Sequence, residues 1–153
     1  MYINARSAVH RLDLLQATIS AYEPDIIGIT KSWTSDKILD SELIMPGYDL
    51  FRCDRPSNNM GGGVILYTKA ELHATDFTTI TAFPEQVWCQ INTGNNSSML
   101  VGVCYRSPTD YIFGRGNHSL LREMIKEVSQ SHFMISIILG LTGLMMVAHQ
   151  LLQ

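Results

Sequence analysis

The stretch Glu23–Trp33, EPDIIGITKSW, decides the fold. Pro24 biases Glu23 away from helical geometry and therefore predicts the end of a preceding helix. The nearly unbroken apolar run Ile26–Ile29 is typical of a strand that is covered on both faces. Lys31 follows where the chain leaves the predicted sheet, and open α/β sheets bind ligands at the carboxyl ends of their strands. Much of the functional argument therefore depends on residue 31 being a lysine and not an acid.

Length and composition limit the class of protein. The chain has 153 residues, which predicts one domain or part of one. It is 46% hydrophobic and 16% charged, as expected for a globular, charge-poor protein, and its net charge of −3 gives no global attraction to nucleic acid. The three cysteines have no CxxC spacing and the first residues lack a signal-peptide core, so we expect a reduced, intracellular protein, nuclear or cytoplasmic.

Alternation of strands and helices predicts the α/β class. Tyr2–Ala5 resembles a short strand, and Ser7 is placed to cap a helix whose apolar face runs from Val9 to Tyr22. A strand at Asp25–Thr30 then completes a strand–helix–strand beginning. Further strands are predicted at Tyr48–Cys53, Val64–Thr68, Gln86–Asn92 and Ser98–Tyr105. We expect all of these except Tyr48–Cys53 to pack in one sheet with the first two strands.

Turns and a second helix complete the central part. Gly61–Gly63 precedes a strand rather than a helix, which favours a flexible turn or a close backbone approach over a phosphate loop. Gly94–Asn96 predicts a hairpin turn. Apolar residues at helical spacing between Leu120 and Val128 indicate a second amphipathic helix.

The last part of the chain is uncharged. Residues 128–153 contain no Asp, Glu, Lys or Arg. Phe133–Leu139 suits a buried strand, whereas the residues from Gly140 to Gln153 have no clear partner in this plan. The alternative is a membrane-spanning helix over Phe133–Ala148, although that stretch is shorter than the roughly 20 residues such a helix needs.

Several motifs occur together in an order that is similar to a known superfamily. They are Asn4–Ser7, Pro24–Thr30, Pro46–Tyr48, Arg52–Arg55, Gly61–Val64 and Val101–Pro108. The chain resembles the endonuclease/exonuclease/phosphatase superfamily, most of all the endonuclease domain that opens the reverse-transcriptase polyprotein of LINE-type non-LTR retrotransposons. The resemblance implies an α/β fold that is a partial two-sheet sandwich, with a truncated domain over residues 1–140 and an apolar C-terminal tail over residues 141–153.

The resemblance also implies a chemistry and a set of residues. The family cleaves DNA phosphodiesters with Mg²⁺ at one edge between the two sheets. Asn4 matches the first-strand asparagine that contacts metal or phosphate, Tyr105 matches the tyrosine near the scissile phosphate, and Arg106 is a candidate contact to backbone phosphate. Each has a structural alternative, because Asn4 suits a turn, Tyr105 suits core packing and Arg106 suits a solvated surface. We expect Trp33 and Trp88 to lie in the core rather than to stack on bases.

The sequence departs from the family at its catalytic positions. Lys31 replaces the acid that ligates the metal, and a lysine ammonium has donors but no acceptor. Leu141 and Gly143 replace the family's Asp and Asn, and its Ser-Asp-His motif has no counterpart before Gln153. These departures predict an inactive copy that binds no Mg²⁺ and binds DNA weakly or not at all. Asp54 and Asp110 are the other candidate ligands, although their spacing gives them no support.

Three functions remain open at this point. The first is a metal-dependent nuclease, the second a non-catalytic remnant of a retroelement, and the third a membrane-tethered or partner-binding protein that uses the apolar tail. The family covers this half of the sandwich with its second half, so we also expect an exposed apolar surface that favours self-association.

Overall fold

The computed structural model describes residues 1–55, 61–106, 111–112, 115–131, 133–141 and 144–150. The strands are β1 Tyr2–Asn4, β2 Ile26–Thr30, β3 Tyr48–Cys53, β4 Val64–Lys69, β5 Thr75–Phe77, β6 Gln86–Gly94, β7 Ser97–Tyr105, β8 Tyr111–Ile112, β9 Arg115–Gly116, β10 Met134–Leu141 and β11 Leu144–Gln150. The helices are α1 Leu12–Tyr22 and α2 Asn117–Ser129, with 3-10 turns at Val9–Arg11, Asp40–Glu42 and Ala70–Leu72.

The strands form two larger sheets rather than one. The first sheet has the order β1-β2-β4-β3 and the second the order β11-β10-β7-β6-β5, while β8 and β9 form a separate ribbon. In the first sheet β1 runs parallel to β2, and in the second β7 runs parallel to β10. The predicted strands are all present, but the expectation of a single sheet was wrong. The two-sheet sandwich implied by the resemblance is the observed architecture.

Strand β2 is buried on both faces, as its apolar run predicts. Ile27 and Ile29 are completely buried and belong to the core beneath α1. Gly28 points to the other sheet, where an added Cβ would lie 2.7 Å from Cδ1 of Ile138 and 2.9 Å from Cγ2 of Val103. The glycine therefore allows the two sheets to approach closely at this position.

Three apolar cores give the molecule four layers. The first core joins α1 to the first sheet through Leu15 and Ile19, and the second joins α2 to the second sheet through Leu121 and Met124. The third lies between the sheets and contains Val64, Leu66, Val87, Val101, Val103 and Ile138. Each large apolar side chain buried in this way contributes roughly 1.5–3 kcal/mol relative to its exposed state.

The ends of α1 follow the predicted signals only in part. Glu23, ahead of Pro24, adopts a left-handed conformation with φ 42°, and its N–H reaches the carbonyl of Ile19 to close the helix. Ser7 does not cap the helix as we expected. Its Oγ lies 2.7 Å from Nδ1 of His10, and the helix begins through the 3-10 turn Val9–Arg11.

The hairpin between β6 and β7 confirms the turn predicted at Gly94–Asn96. Asn95 and Asn96 form its two-residue loop, and both have positive φ, 51° and 58°. This is the conformation of a type I′ turn, for which asparagine is among the best residues.

The apolar C-terminal stretch forms strands. β10 confirms the buried strand predicted at Phe133–Leu139, and β11 pairs with it in antiparallel fashion. The alternative of a helix over Phe133–Ala148 is therefore wrong for the described residues. Among the residues that the structure describes, no helix has the length and apolarity to span a membrane. The boundary that we placed after Gly140 falls within β10, and the division there into domain and tail stays a prediction.

Candidate functional site

The carboxyl ends of four strands meet at one edge of the sandwich. In the first sheet Asn4 of β1 pairs with Thr30 of β2, and in the second Tyr105 of β7 pairs with Gly140 of β10. The sheets touch here, because a Cβ added to Gly140 would lie 2.7 Å from Cγ2 of Thr30. Parallel pairing within each sheet thus brings together the residues that follow β2 and β7, which is the geometry of a ligand-binding edge.

A rigid turn extends β2 beyond the sheet. Lys31 and Trp33 have positive φ, 54° and 57°, which is uncommon for residues with long or bulky side chains. The turn is held from both sides. On one side, the N–H groups of residues 7 and 8 donate to the carbonyls of residues 31 and 32, respectively. On the other side, the N–H groups of residues 32 and 33 donate to the carbonyls of residues 63 and 62, respectively. These four hydrogen bonds hold the backbone of the turn in its left-handed conformations.

The glycine run Gly61–Gly63 is one of the two supports of this turn. All three glycines have φ between 79° and 82°. A Cβ on Gly63 would lie 2.5 Å from Oγ of Ser32, and one on Gly62 would overlap the carboxylate of Glu85. The interpretation of this run as a close backbone approach is therefore confirmed.

Lys31 reaches across to the second sheet. Its Nζ lies 5.6 Å from the centroid of the Tyr105 ring, within the range of a cation–π interaction. Lys31 is half-buried, and Tyr105 is buried with 7% of its surface exposed. Tyr105 thus packs in the core, which is the structural alternative for this residue, and also presents its ring to the cation at this edge.

Asn4 and Arg106, the other two candidate residues, lie at the same edge. Asn4 is exposed at the end of β1. Arg106 directly follows β7, its backbone N–H donates to the carbonyl of Gly140 at 3.1 Å, and the residue is half-buried. The structure therefore collects Asn4, Lys31, Tyr105 and Arg106 at one edge and brings two of them, Lys31 and Tyr105, into contact.

An acid that the sequence motifs did not point to, Glu85, lies at this edge. Glu85 is 3% exposed, and its Oε1 lies 3.3 Å from Nε of Arg55. Its carbonyl accepts the N–H of Tyr105 at 2.9 Å, so it sits one strand away from that ring. In the sequence Glu85 is one polar residue between Phe83 and the strand that begins at Gln86, and nothing local links it to Arg55.

The described residues at this edge do not fit a Mg²⁺ ion. Magnesium needs hard oxygen ligands, usually carboxylates, and Lys31 offers an ammonium in place of one. No cluster of three His, Cys, Asp or Glu side chains is placed to hold a metal ion within the described part of the chain. Leu141 ends β10, while Gly143 and Asp110 lie outside the described residues. We therefore derive no reaction step through a metal at this edge.

Two other acids of the loop and strand near this edge, Asp54 and Glu42, make structural contacts. Oδ2 of Asp54 lies 3.5 Å from Nη2 of Arg52, and Oε1 of Glu42 accepts the N–H of Leu39 at 2.9 Å. Arg52 also bonds the carbonyl of Ile38 at 2.8 Å and so ties the loop after β2 to β3. These contacts stabilise the loop.

The two tryptophans lie in different surroundings, and the expectation for one of them was wrong. Trp88 is in the core with 2% of its surface exposed, as expected. Trp33 is 49% exposed, and its backbone is left-handed with φ 57°. Its Nε1 would lie 3.5 Å from a Cβ on Gly61.

A cavity of about 540 Å³ lies at the opposite end of β2 and is unrelated to this edge. Among the residues around it, Lys69 pairs with Asp25 at 2.8 Å. This hydrogen bond and charge lower the pKa of Asp25 and raise the pKa of Lys69. The pair holds the amino end of β2 against the carboxyl end of β4.

Solved structures share this arrangement of sheets. The AP endonuclease LMAP from Leishmania major superimposes with a TM-score of 0.67 at 12% identity, covering 89% of this chain and 53% of that chain. The chain has the fold of the AP endonucleases. An AP endonuclease from Archaeoglobus fulgidus gives a TM-score of 0.64 at 11% identity, and the 3′-5′ exonuclease NExo from Neisseria meningitidis gives 0.64 at 13%.

The AP-endonuclease fold is present here over part of its length. The match covers 90% of this chain but only 55% of the Archaeoglobus and Neisseria proteins, so the chain spans about half the length of these structures. No protein-family model and no curated protein matches the chain. The likeness therefore establishes the two-sheet α/β sandwich of the endonuclease/exonuclease/phosphatase type.

Proposed function

We propose that this chain is part of an endonuclease/exonuclease/phosphatase domain from a LINE-type non-LTR retrotransposon, in which Mg²⁺-dependent cleavage of DNA has been lost. One observation carries the proposal. At the edge where the resemblance places the metal ligand, the Nζ of Lys31 lies 5.6 Å from the centroid of the Tyr105 ring. A fixed cation stands where the reaction needs a carboxylate.

The charge at residue 31 decides between a nuclease and a remnant. Replacing an acid by a lysine changes the local charge by two units, and unit charges about 4 Å apart interact by about 4 kcal/mol at an effective dielectric of ~20. A repulsion of this size would weaken the binding of a divalent cation roughly a thousandfold. Leu141 and Gly143, at the family's Asp and Asn positions, add two further losses.

The retrotransposon origin rests on the order of the sequence motifs. Two of these motifs have structural roles in the fold. Arg52–Arg55 supplies the contacts to Asp40 and Glu85, and Gly61–Val64 supports the turn at Lys31. Since the similar solved structures are only 11–13% identical, the assignment to the LINE type comes from these motifs and is our proposal. A nuclear or cytoplasmic location follows from the same proposal.

A nicking assay tests the loss of cleavage. Supercoiled plasmid and an abasic oligonucleotide are incubated with the purified chain, in Mg²⁺ or in EDTA. We expect no chelator-sensitive nicking by the wild type or by Lys31→Glu, because Leu141 and Gly143 remain in the variant. Lys126→Glu, on the exposed face of α2, makes the same charge change away from the edge and is the matched control. Chelator-sensitive nicking by the wild type would show that another carboxylate forms a metal site, and the proposal would fail.

A further inference from the structure

We infer that the turn Lys31–Trp33 binds single-stranded nucleic acid without a metal ion, with a base stacked on the Trp33 indole and a neighbouring phosphate at the Lys31 ammonium. The inference rests on the proposed function for the position of the site. It goes further by naming the ligand, the contacts and their independence from Mg²⁺.

The Trp33 indole is built as an exposed platform. Half of its surface, 49%, is accessible, and its Nε1 edge lies along Gly61. The backbone beneath it is fixed by the bond from its N–H to the carbonyl of Gly62 at 2.9 Å. Exposed aromatic rings on rigid supports stack on unpaired bases of any sequence, since every base has a π-face. The backbone therefore loses little conformational freedom when a base stacks here.

The Lys31 ammonium supplies a positive charge two residues away. Its contact with the Tyr105 ring directs the side chain towards the junction of the two sheets. Trp33 faces solvent from the same turn, and two residues place the Cα atoms within about 7 Å. A nucleotide can therefore contact the indole with its base while a phosphate contacts the ammonium. Because this cation is part of the protein, a chelator cannot remove it.

Two arginines add positive charge at the same edge. Arg6 is exposed between Ala5 and Ser7, whose N–H groups bond the carbonyls of Thr30 and Lys31. Arg106 follows β7 at the end of the neighbouring sheet. The attraction is local, since the whole chain carries a net charge of −3. Binding should therefore be weak and strongly dependent on salt.

The platform selects single strands over duplexes. In a duplex each base is stacked between its neighbours and offers only its edges in the grooves. The accessible surface at Trp33 is the face of a ring on one turn, which needs an unstacked base. Unpaired nucleic acid supplies such bases without the free-energy cost of unstacking.

Intrinsic fluorescence gives a direct test, because the chain has two tryptophans and only Trp33 is exposed. Trp88 is buried, and its Nε1 donates to Oε1 of Gln86 at 2.8 Å. Short oligo(dT) in EDTA should quench the wild type in a saturable manner, and a duplex of the same length should quench it less. Inorganic phosphate alone should not quench it. Equal quenching by inorganic phosphate would overturn the inference.

Variants separate the stacked base from the phosphate contact. The affinity is followed independently by the anisotropy of end-labelled oligo(dT). Trp33→Phe should abolish the quenching but keep the affinity within a few fold, whereas Trp33→Ala should weaken it about tenfold. Lys31→Gln should keep the quenching at saturation, weaken binding, and reduce the slope of log affinity against log salt by ~0.7, the value of one phosphate contact on a single strand.

Controls make every outcome decisive. Lys126→Gln should leave both affinity and slope unchanged, and far-ultraviolet circular dichroism confirms that each variant is folded. Absence of saturable quenching, loss of binding in EDTA, or equal affinity of Trp33→Ala and wild type would overturn the inference. Nicking and quenching are separate measurements, so Mg²⁺-dependent nicking would contradict the proposed function while the quenching experiment still judges the binding site.

Discussion

At the scale of single residues, Gly63 shows why a glycine is needed beside the turn at Lys31. Gly63 and Gly47 have nearly the same φ, 79° and 81°, but only a Cβ on Gly63 would meet a neighbour closely, Oγ of Ser32 at 2.5 Å. Alanine at either position should cost about 1–2 kcal/mol for the left-handed backbone. Gly63→Ala should cost roughly 1–3 kcal/mol more through overpacking. Urea denaturation of both variants measures the difference.

Gly94 provides a second reference for this comparison. Its φ is 85° and a Cβ there would find no atom within 4 Å, so Gly94→Ala should behave like Gly47→Ala. The Oγ of Ser32 is buried and bonds Oγ1 of Thr34 at 2.9 Å, which limits how far it can move. Equal losses in the free energy of unfolding at all three glycines would contradict this prediction. They would mean that the Ser32 side chain moves away from an added Cβ at no energetic cost.

The residues of the edge were partly predictable from the sequence. The apolar run before Lys31 and the family motifs located it at a strand end, because strand periodicity is a local signal. The exposure of Trp33 was not predictable. Its left-handed backbone depends on carbonyls near residue 62 and on the segment near residue 7, which are distant in sequence. The same holds for Glu85, whose partner Arg55 lies thirty residues earlier.

At the scale of elements, Tyr67 joins strand β4 to the loop before β3. Its hydroxyl donates to the carbonyl of Leu43 at 2.7 Å, the residue is 1% exposed, and burial raises the pKa of Tyr67 to about 12. Unfolding restores the ordinary pKa of 10.0, so the stability from this group is complete below pH 10 and is lost as the pH rises towards 12. The free energy of unfolding should fall by up to about 1.4 kcal/mol per pH unit in that window.

The variant Tyr67→Phe isolates this contribution. It should cost about 1 kcal/mol at neutral pH through the lost hydrogen bond, and its stability should decline less steeply between pH 10 and 12. The thiol of Cys89, whose pKa burial raises to about 12, adds a decline of the same sign in both proteins, so the difference between them reports Tyr67. Parallel declines in urea titrations would contradict the assignment.

Elements were predicted more accurately than their partners. The apolar runs bounded by turn residues located β2, β3, β4, β6, β7 and α2 closely, because turn residues and apolar runs are both local features of the sequence. The division of these strands into two sheets depends on which faces meet. Gly28 and Gly140 mark that contact, but a glycine within a strand is equally typical of a bulge or a sharp bend. The sequence did not predict β11, because an uncharged run does not indicate which strand it pairs with.

At the scale of the whole molecule, we expect the surface to favour association. β1 and β11 each end their sheet, with a neighbouring strand on one side only among the described residues, and edge strands recruit further strands. Large exposed apolar side chains add to this tendency: Leu14, Tyr22, Leu39, Ile44 and Ile80. We expect the 153-residue chain to show a mass that rises with concentration in light scattering.

A double variant distinguishes the two causes. Leu14 and Tyr22 are both exposed on α1, and replacing both by lysine should return the chain to a monomer if the helix face associates. Association that persists in this variant would point to the sheet edges. A monodisperse wild type that unfolds reversibly on heating would contradict the expectation.

The contact between Lys31 and Tyr105 has a mechanical consequence. Lys31 follows a strand of one sheet and Tyr105 ends a strand of the other, so their 5.6 Å separation spans the seam between the two layers. If one layer slides or tilts over the other, this separation changes directly. A fluorine label on the Tyr105 ring would then act as a gauge of breathing across the sandwich, read by nuclear magnetic resonance from a single atom.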